Sequence, residues 1–281
     1  MDIQIHEYCI LLFIIIVIAV LIYYNYFDNE LKLDCVLTAC NDNPMYMECI
    51  PIFIKSWNTL YPNVDVKVIL ISDSIPNELD EYNNNIILLP LNKIGLSKES
   101  EPFVSVYIRY LYPSLLNYTN GIMITDVDML PMNKNYFNFK GIDKSKYVNT
   151  RDWNDGYQFA SCYNIATSKV WSEVFNISNF DDIKIRLHDI WYNELDSIPQ
   201  KLINDSPYKG WYKDQIDALK YVTIWNKITN NLLILKDKDT GYNRLDRANQ
   251  CRMNNDIKLN IIDGKYSDYH ICRPYSKHKE F

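Results

Sequence analysis

Residues 121–131, GIMITDVDMLP, decide the fold. An apolar run ends in two aspartates one residue apart, Asp126 and Asp128. Carboxylates beside a core strand are costly unless something cationic meets them. On an extended strand, side chains at i and i+2 point the same way. The pair is therefore expected to converge on one hard cation. Mg²⁺ or Mn²⁺ takes oxygen ligands of this kind and keeps positions open for phosphate oxygens. A cation bridging a diphosphate neutralises charge on a departing nucleotide.

The surroundings of this stretch read as alternating strands and helices. Upstream, LDCVLTAC reads as a buried strand ending near Cys40, NDNPMYM as a loop, and ECIPIFIKSWNTL as a helix with Pro51 in its first turn. VDVKVILISD is a second strand ending at Ser72–Asp73, and NIILLPL a third. Ser100 is placed to cap a helix, EPFVSVYIRYLYPSLLNY, that carries Arg109 and is kinked by Pro113. IMIT then enters a fourth strand. Strand–helix–strand alternation is the rhythm of a mixed, mainly parallel α/β sheet of Rossmann-like type. In open sheets of this kind ligands bind beyond the strands' C-terminal ends, where the aspartates lie. Downstream, DGYQFASCYNIATSKVWSEVF reads as a strand and then a helix from about Thr167. Apolar residues at 183, 187, 190, 191 and 195 make a helical stripe on which His188 is read as solvated, and GWYKDQIDALKYV is a further helix.

The chain has 281 residues, 48% of them hydrophobic, a net charge of −6 and no long Lys/Arg run. Nucleic acid is excluded as a partner on those grounds. YCILLFIIIVIAVLIYYNYF, residues 8–27, is uncharged and long enough to span a bilayer, with tyrosines at its ends. It reads as a retained signal-anchor rather than a cleaved signal peptide. The organisation expected is a tail at 1–7, a transmembrane helix at 8–27, a stem at 28–32 and one domain at 33–281. A short tail before a large C-terminal domain implies a single-pass, type II protein facing a lumen. Three N-x-S/T triplets start at Asn117, Asn176 and Asn204. Six cysteines in the domain permit either disulfides or buried thiols, and no CxxC points to zinc.

From Cys35 to Tyr275 the chain resembles the nucleotide-sugar-dependent glycosyltransferases with a D-x-D motif and a Rossmann-like fold. The likeness is greatest to the retaining galactosyltransferase and glycogenin-like branch. VLTACND is similar to the family's base-binding segment, which implies that Thr38, Ala39 and Asn41 line the base and ribose pocket. Asp73, which closes the second strand, is counted with the donor-binding set. YIRYLYP followed by MITDVDMLP matches the family's Arg-bearing helix and D-x-D strand. Arg109 would hold the donor, Asp128 the metal, and Asp126 the metal or the ribose. CYNIATSKVW resembles the strand whose Asn meets the donor sugar, here Asn164, although Ile165 stands where the family has a small residue. HICRPY resembles the His-x-x-G-x-x-Lys-Pro-Trp element with shorter spacing and no Gly. His270 would be the third metal ligand and Arg273 the phosphate-binding cation. Asp214–Gln215 resembles the family's Asp-Gln beside the reacting sugar, while the aromatics of GWYKDQ read as core.

What the resemblance implies is transfer of a hexose, with Mn²⁺ or Mg²⁺, from a nucleotide-diphosphate sugar, by resemblance UDP-linked, to a glycan, glycoprotein or glycolipid hydroxyl. Retention of configuration is favoured. Inversion would need a carboxylate base, with Asp152, Asp155 and Asp214 as candidates. Two rivals from other classes stand beside it. One is a membrane-anchored glycan-binding or inactive module. The other is a haloacid-dehalogenase-type phosphatase, against which Met129–Leu130 after the D-x-D pair argues.

Overall fold

The computed structural model describes residues 12–18, 29–151, 156–195, 208–247 and 255–278. Two sheets organise them. The larger has seven strands in the order β3-β2-β1-β4-β7-β6-β8. These are β1 (Leu33–Asn41), β2 (Asp65–Ile71), β3 (Ile86–Leu88), β4 (Gly121–Ile124), β6 (Tyr147–Asn149), β7 (Asn164–Thr167) and β8 (Leu232–Ile234). A smaller sheet joins β5 (Met129–Pro131), β10 (Tyr266–His270) and β9 (Asn243–Leu245) in the order β5-β10-β9.

Strands β3, β2, β1 and β4 are mutually parallel, and only β7 runs against its neighbours in the large sheet. The chain therefore steps outward from β1 to β3 and returns across the sheet to β4. That reversal opens a crevice between the C-terminal ends of β1 and β4, which is where such sheets bind ligands. β1 has reason to be central. Seven of its nine residues are buried, with Val36 and Cys40 in one core layer and Leu37 and Ala39 in the other.

Among the described residues six α-helices of eight residues or more flank the sheets: α1 (Ile50–Leu60), α2 (Glu101–Leu111), α3 (Ser168–Phe175), α4 (Phe180–Asp189), α5 (Lys213–Thr229) and α6 (Asn255–Ile262). Pro51 sits in the first turn of α1, where its missing N–H costs nothing. Thr167 caps α3 by accepting from Val170 N (3.4 Å), and Asn179 opens α4 with a capping box. Trp171, fully buried, donates its indole N–H to Ile122 O (3.0 Å) and so ties α3 to β4.

Several local expectations change. Ser100 precedes α2, but its hydroxyl donates to Ser97 O (2.7 Å) instead of capping the helix. At Tyr112 the α-helix gives way to a 3-10 turn over Tyr112–Leu115, so Pro113 ends α2 and does not kink it. The loop NDNPMYM contains a short helix, Pro44–Met47, capped by the Asn43 side chain. His188 is not solvated: its Nε2 meets Ile94 O at 2.9 Å. The polar stem is docked on the domain: Leu31 is buried, its N–H donates to Ile142 O, and Glu30 bridges to Asp143. Cys35, Cys40, Cys49, Cys162 and Cys272 are buried free thiols.

Residues 12–18 are helical, with exposed apolar side chains. The rest of the expected span at 8–27 lies outside the described residues. Among the described residues no helix is long and apolar enough to cross a membrane.

Candidate active site

The crevice beyond β1 and β4 holds a cavity, and five parts of the chain contribute to its lining. β1 supplies Ala39, Cys40 and Asn41 at its end, and the turn after β4 supplies Asp126, Val127 and Asp128. Arg109 enters from α2, and Asp214 and Gln215 from the first turn of α5. Arg247, His270 and Arg273 come from the C-terminal part.

Strand register explains how the last group arrives. β10 runs antiparallel to β5 with His270 opposite Met129, and Ile271 N donates to Asp128 O (3.0 Å). The imidazole is thereby delivered beside Asp128. β9 runs parallel to β10 with Leu245 opposite Tyr269, which brings Asp246 and Arg247 alongside His270.

The two aspartates do not share one partner. After Ile124 the chain leaves the strand and turns, with Met129 N donating to Asp126 O at 3.1 Å. The i, i+2 rule for an extended strand therefore does not apply. Asp126 turns to Arg109, whose Nη1 donates to its carboxylate. Asp128 turns the other way and is almost fully buried. Its Oδ2 lies 3.3 Å from His270 Nε2, 3.3 Å from Arg247 Nη2 and 3.2 Å from Arg273 Nε. Burial alone would raise the Asp128 pKa. His270, then Arg273 and Arg247, outweigh it and hold the carboxyl down at about 2.

Arg109 is a second node. Its guanidinium is buried, with Nη1 on Asp126 and Nη2 3.4 Å from Asp214 Oδ2. Burial would lower its pKa, but the two carboxylates raise it above the ordinary arginine range. Asp214 is buried, and its Oδ1 has no hydrogen-bond partner of good geometry among the described residues. Desolvation pushes its pKa up to about 7 against the pull of Arg109. α5 is locked to α2 one turn further on, where Tyr107 donates to Asp217 (2.6 Å), which also accepts from Lys213 on its own helix (2.7 Å).

Asp128 and His270 could hold a divalent metal. A carboxylate and an imidazole suit Mn²⁺, and Asp246 lies 3.1 Å from His270 Nδ1, so that a proton on Nδ1 would leave Nε2 for a cation. The structure itself seats positive charge there, as the Arg247 guanidinium. Among the described residues no three of His, Cys, Asp and Glu stand together as one ligand group.

No family model matches the chain, and no curated protein matches its sequence. Solved structures do match. The apo form of GlyE from Streptococcus pneumoniae TIGR4 aligns over 85% of this chain and 54% of its own, at 13% identity and a TM-score of 0.48. A glycosyltransferase involved in the glycosylation of the major capsid of PBCV-1 aligns over 88% of this chain and 100% of its own, at 11% identity and a TM-score of 0.45. LgtC, with donor and acceptor sugar analogs, aligns over 85% and 87%, at 11% identity and a TM-score of 0.43. All three are glycosyltransferases. The chain spans about half the length of the pneumococcal structure.

Nine of the residues singled out from the sequence line the cavity: Ala39, Asn41, Arg109, Asp126, Asp128, Asp214, Gln215, His270 and Arg273. Three do not. Thr38 is fully buried in β1. Asp73 is exposed beyond β2. Asn164 is a strut and not a sugar ligand in this structure. Its Nδ2 donates to Ala160 O (2.8 Å) and Ser161 O (3.0 Å), and its Oδ1 accepts from Asn149 (2.8 Å). It shapes the cavity through Ser161, which lines it. Asp152 and Asp155 lie outside the described residues.

Sequence reasoning missed Asp246, Arg247, Tyr46, Tyr208 and Trp211. Tyr46 and Trp211 line the cavity, so one aromatic of GWYKDQ faces ligand space. Arg273 lies over the Tyr46 ring at 4.9 Å. Only the acid-flanked arginines of NRLDR hinted at Arg247.

Proposed function

We propose that this protein is a metal-dependent glycosyltransferase that moves a hexose from a nucleoside-diphosphate sugar, UDP-linked by motif resemblance, to an acceptor hydroxyl. One observation carries the reading. A single cavity at the sheet's reversal point gathers the base-side segment Ala39–Asn41, the Asp128–His270 pair, Arg273 and Asp214–Gln215. These groups match a donor's successive parts: base and ribose, diphosphate, and sugar.

Mn²⁺ or Mg²⁺, held by Asp128 and His270, would supply Lewis-acid neutralisation of the departing diphosphate. Arg273, with its guanidinium set on Tyr46, meets the phosphate oxygens. Ala39 and Asn41 receive the nucleoside. Gln215, half-buried, faces the sugar, with the Asp214 carboxylate beside it to stabilise an oxocarbenium-like transition state.

Retention of configuration is the stereochemistry this lining supports. The carboxylates that line it, Asp126, Asp128 and Asp214, are each paired with arginine, so none among the described residues is free to act as base. In a retaining transfer the leaving phosphate can take the acceptor proton. The acceptor class follows from the proposed anchor at residues 8–27: a glycan, glycoprotein or glycolipid near a membrane, with the domain on the lumenal side.

The test is a donor screen on the chain from residue 29 onward, reading nucleotide release from each nucleotide sugar with and without Mn²⁺. Release from one donor that depends on the metal supports the proposal. A blank across all donors would leave a glycan-binding module as the better reading, and release of phosphate from simple esters a phosphatase.

A further inference from the structure

We infer that Arg247 is the resident counter-cation of the Asp128–His270 pair, and that it must leave for a divalent ion to enter. It thereby sets how tightly the site takes metal. This rests on the metal reading above and concerns a residue which that reading does not use.

Arg247 Nη2 stands 3.3 Å from Asp128 Oδ2 and also meets His270 at Nε2. Those are the two atoms that would bind metal. Among the described residues the side chain meets no residue but these two by hydrogen bond, its further contact being His270 Nδ1 at 3.4 Å. The guanidinium cannot lose its charge to make room. A divalent ion a few ångströms from it, in a largely buried setting, would meet strong repulsion. The two cations therefore exclude each other.

The neighbours separate Arg247 from the rest of the site. Asp246 holds His270 Nδ1 at 3.1 Å, so the ring stays aimed at Asp128 whichever cation is seated. Arg273 also touches Asp128, but its guanidinium rests on Tyr46 and has a place beside the seat. Arg247 is more than a quarter exposed, with a side chain able to swing towards the cavity it lines.

The experiment is a Mn²⁺ titration followed by electron paramagnetic resonance, on the wild type, Arg247→Gln and Arg244→Gln. Arg244 lies on β9, carries the same charge and pairs with Asp268 away from the cavity lining. It controls for a general loss of positive charge. Circular dichroism confirms that each variant folds. The expected result is Mn²⁺ affinity about tenfold tighter in Arg247→Gln and unchanged in Arg244→Gln. The rise in melting temperature on adding Mn²⁺ should follow the same order. Equal affinity in wild type and Arg247→Gln, weaker affinity in Arg247→Gln, or the same gain in both variants would overturn the inference while leaving the metal reading intact. Absence of Mn²⁺ binding in all three proteins would overturn both.

Discussion

Arg109 joins two carboxylates that lie far apart in sequence: its Nη1 holds Asp126 after β4, and its Nη2 lies 3.4 Å from Asp214 on α5. One buried guanidinium thus fixes the turn after β4 relative to α5. Removing it would leave Asp214 as a buried carboxylate with no cation. Arg109→Leu should lose about 3–5 kcal/mol of stability. Arg109→Lys should recover only part of this, because one ammonium cannot span both acids. Urea unfolding of the three proteins reads the difference. Equal midpoints would show that the node is not structural.

Asp214 and Asp128 should shape stability in opposite directions with pH. Burial raises the folded-state pKa of Asp214 to about 7, above the ~3.9 of an unfolded aspartate. Its contribution is full below ~4 and is lost as pH rises through about 7. Asp128, at about 2 in the folded state, contributes above ~4 and loses that contribution as pH falls through about 2. Urea midpoints measured from pH 4 to 8 should decline, and Asp214→Asn should flatten that decline.

Asn164 and Asp73 separate the strut from the surface residue. Asn164→Ala removes three buried hydrogen bonds and leaves the Ala160 and Ser161 carbonyls without that partner. A loss of about 2–3 kcal/mol is expected, with weaker donor binding through a displaced Ser161. Asp73→Ala, at an exposed position, should change neither stability nor donor affinity by more than about twofold. Calorimetric titration with UDP alongside thermal melts would check both.

Asp246 should matter to metal without touching it. Asp246→Asn loosens the His270 ring and should weaken Mn²⁺ affinity about 10–100-fold, with little change in melting temperature. Unchanged affinity would mean that the ring is oriented by β10 alone.

What was legible in the sequence was whatever is local and periodic. The apolar runs of β1, β2 and β4, Pro51 at the head of α1, and Arg109 on α2 ahead of the aspartates all stand where patterning puts them. Three kinds of feature were not legible. The turn over Asp126–Met129 carries no Gly or Pro, so nothing local signals that the strand ends before the acids. Asn164 is a polar residue in a strand, and its type alone does not distinguish a ligand from a strut. Arg247 reaches Asp128 only through the β9–β10–β5 register, a pairing across more than a hundred residues that no local pattern encodes.

A divalent ion and a nucleoside-diphosphate sugar are proposed to meet at Asp128. The most direct measurement is nucleotide release from UDP-sugars by the wild type and by Asp128→Asn, each with Mn²⁺ and with chelator. Release by the wild type with Mn²⁺ is expected, with a fall of at least about a hundredfold on chelation or in Asp128→Asn. Full release by Asp128→Asn, or release by the wild type that ignores the chelator, would contradict it.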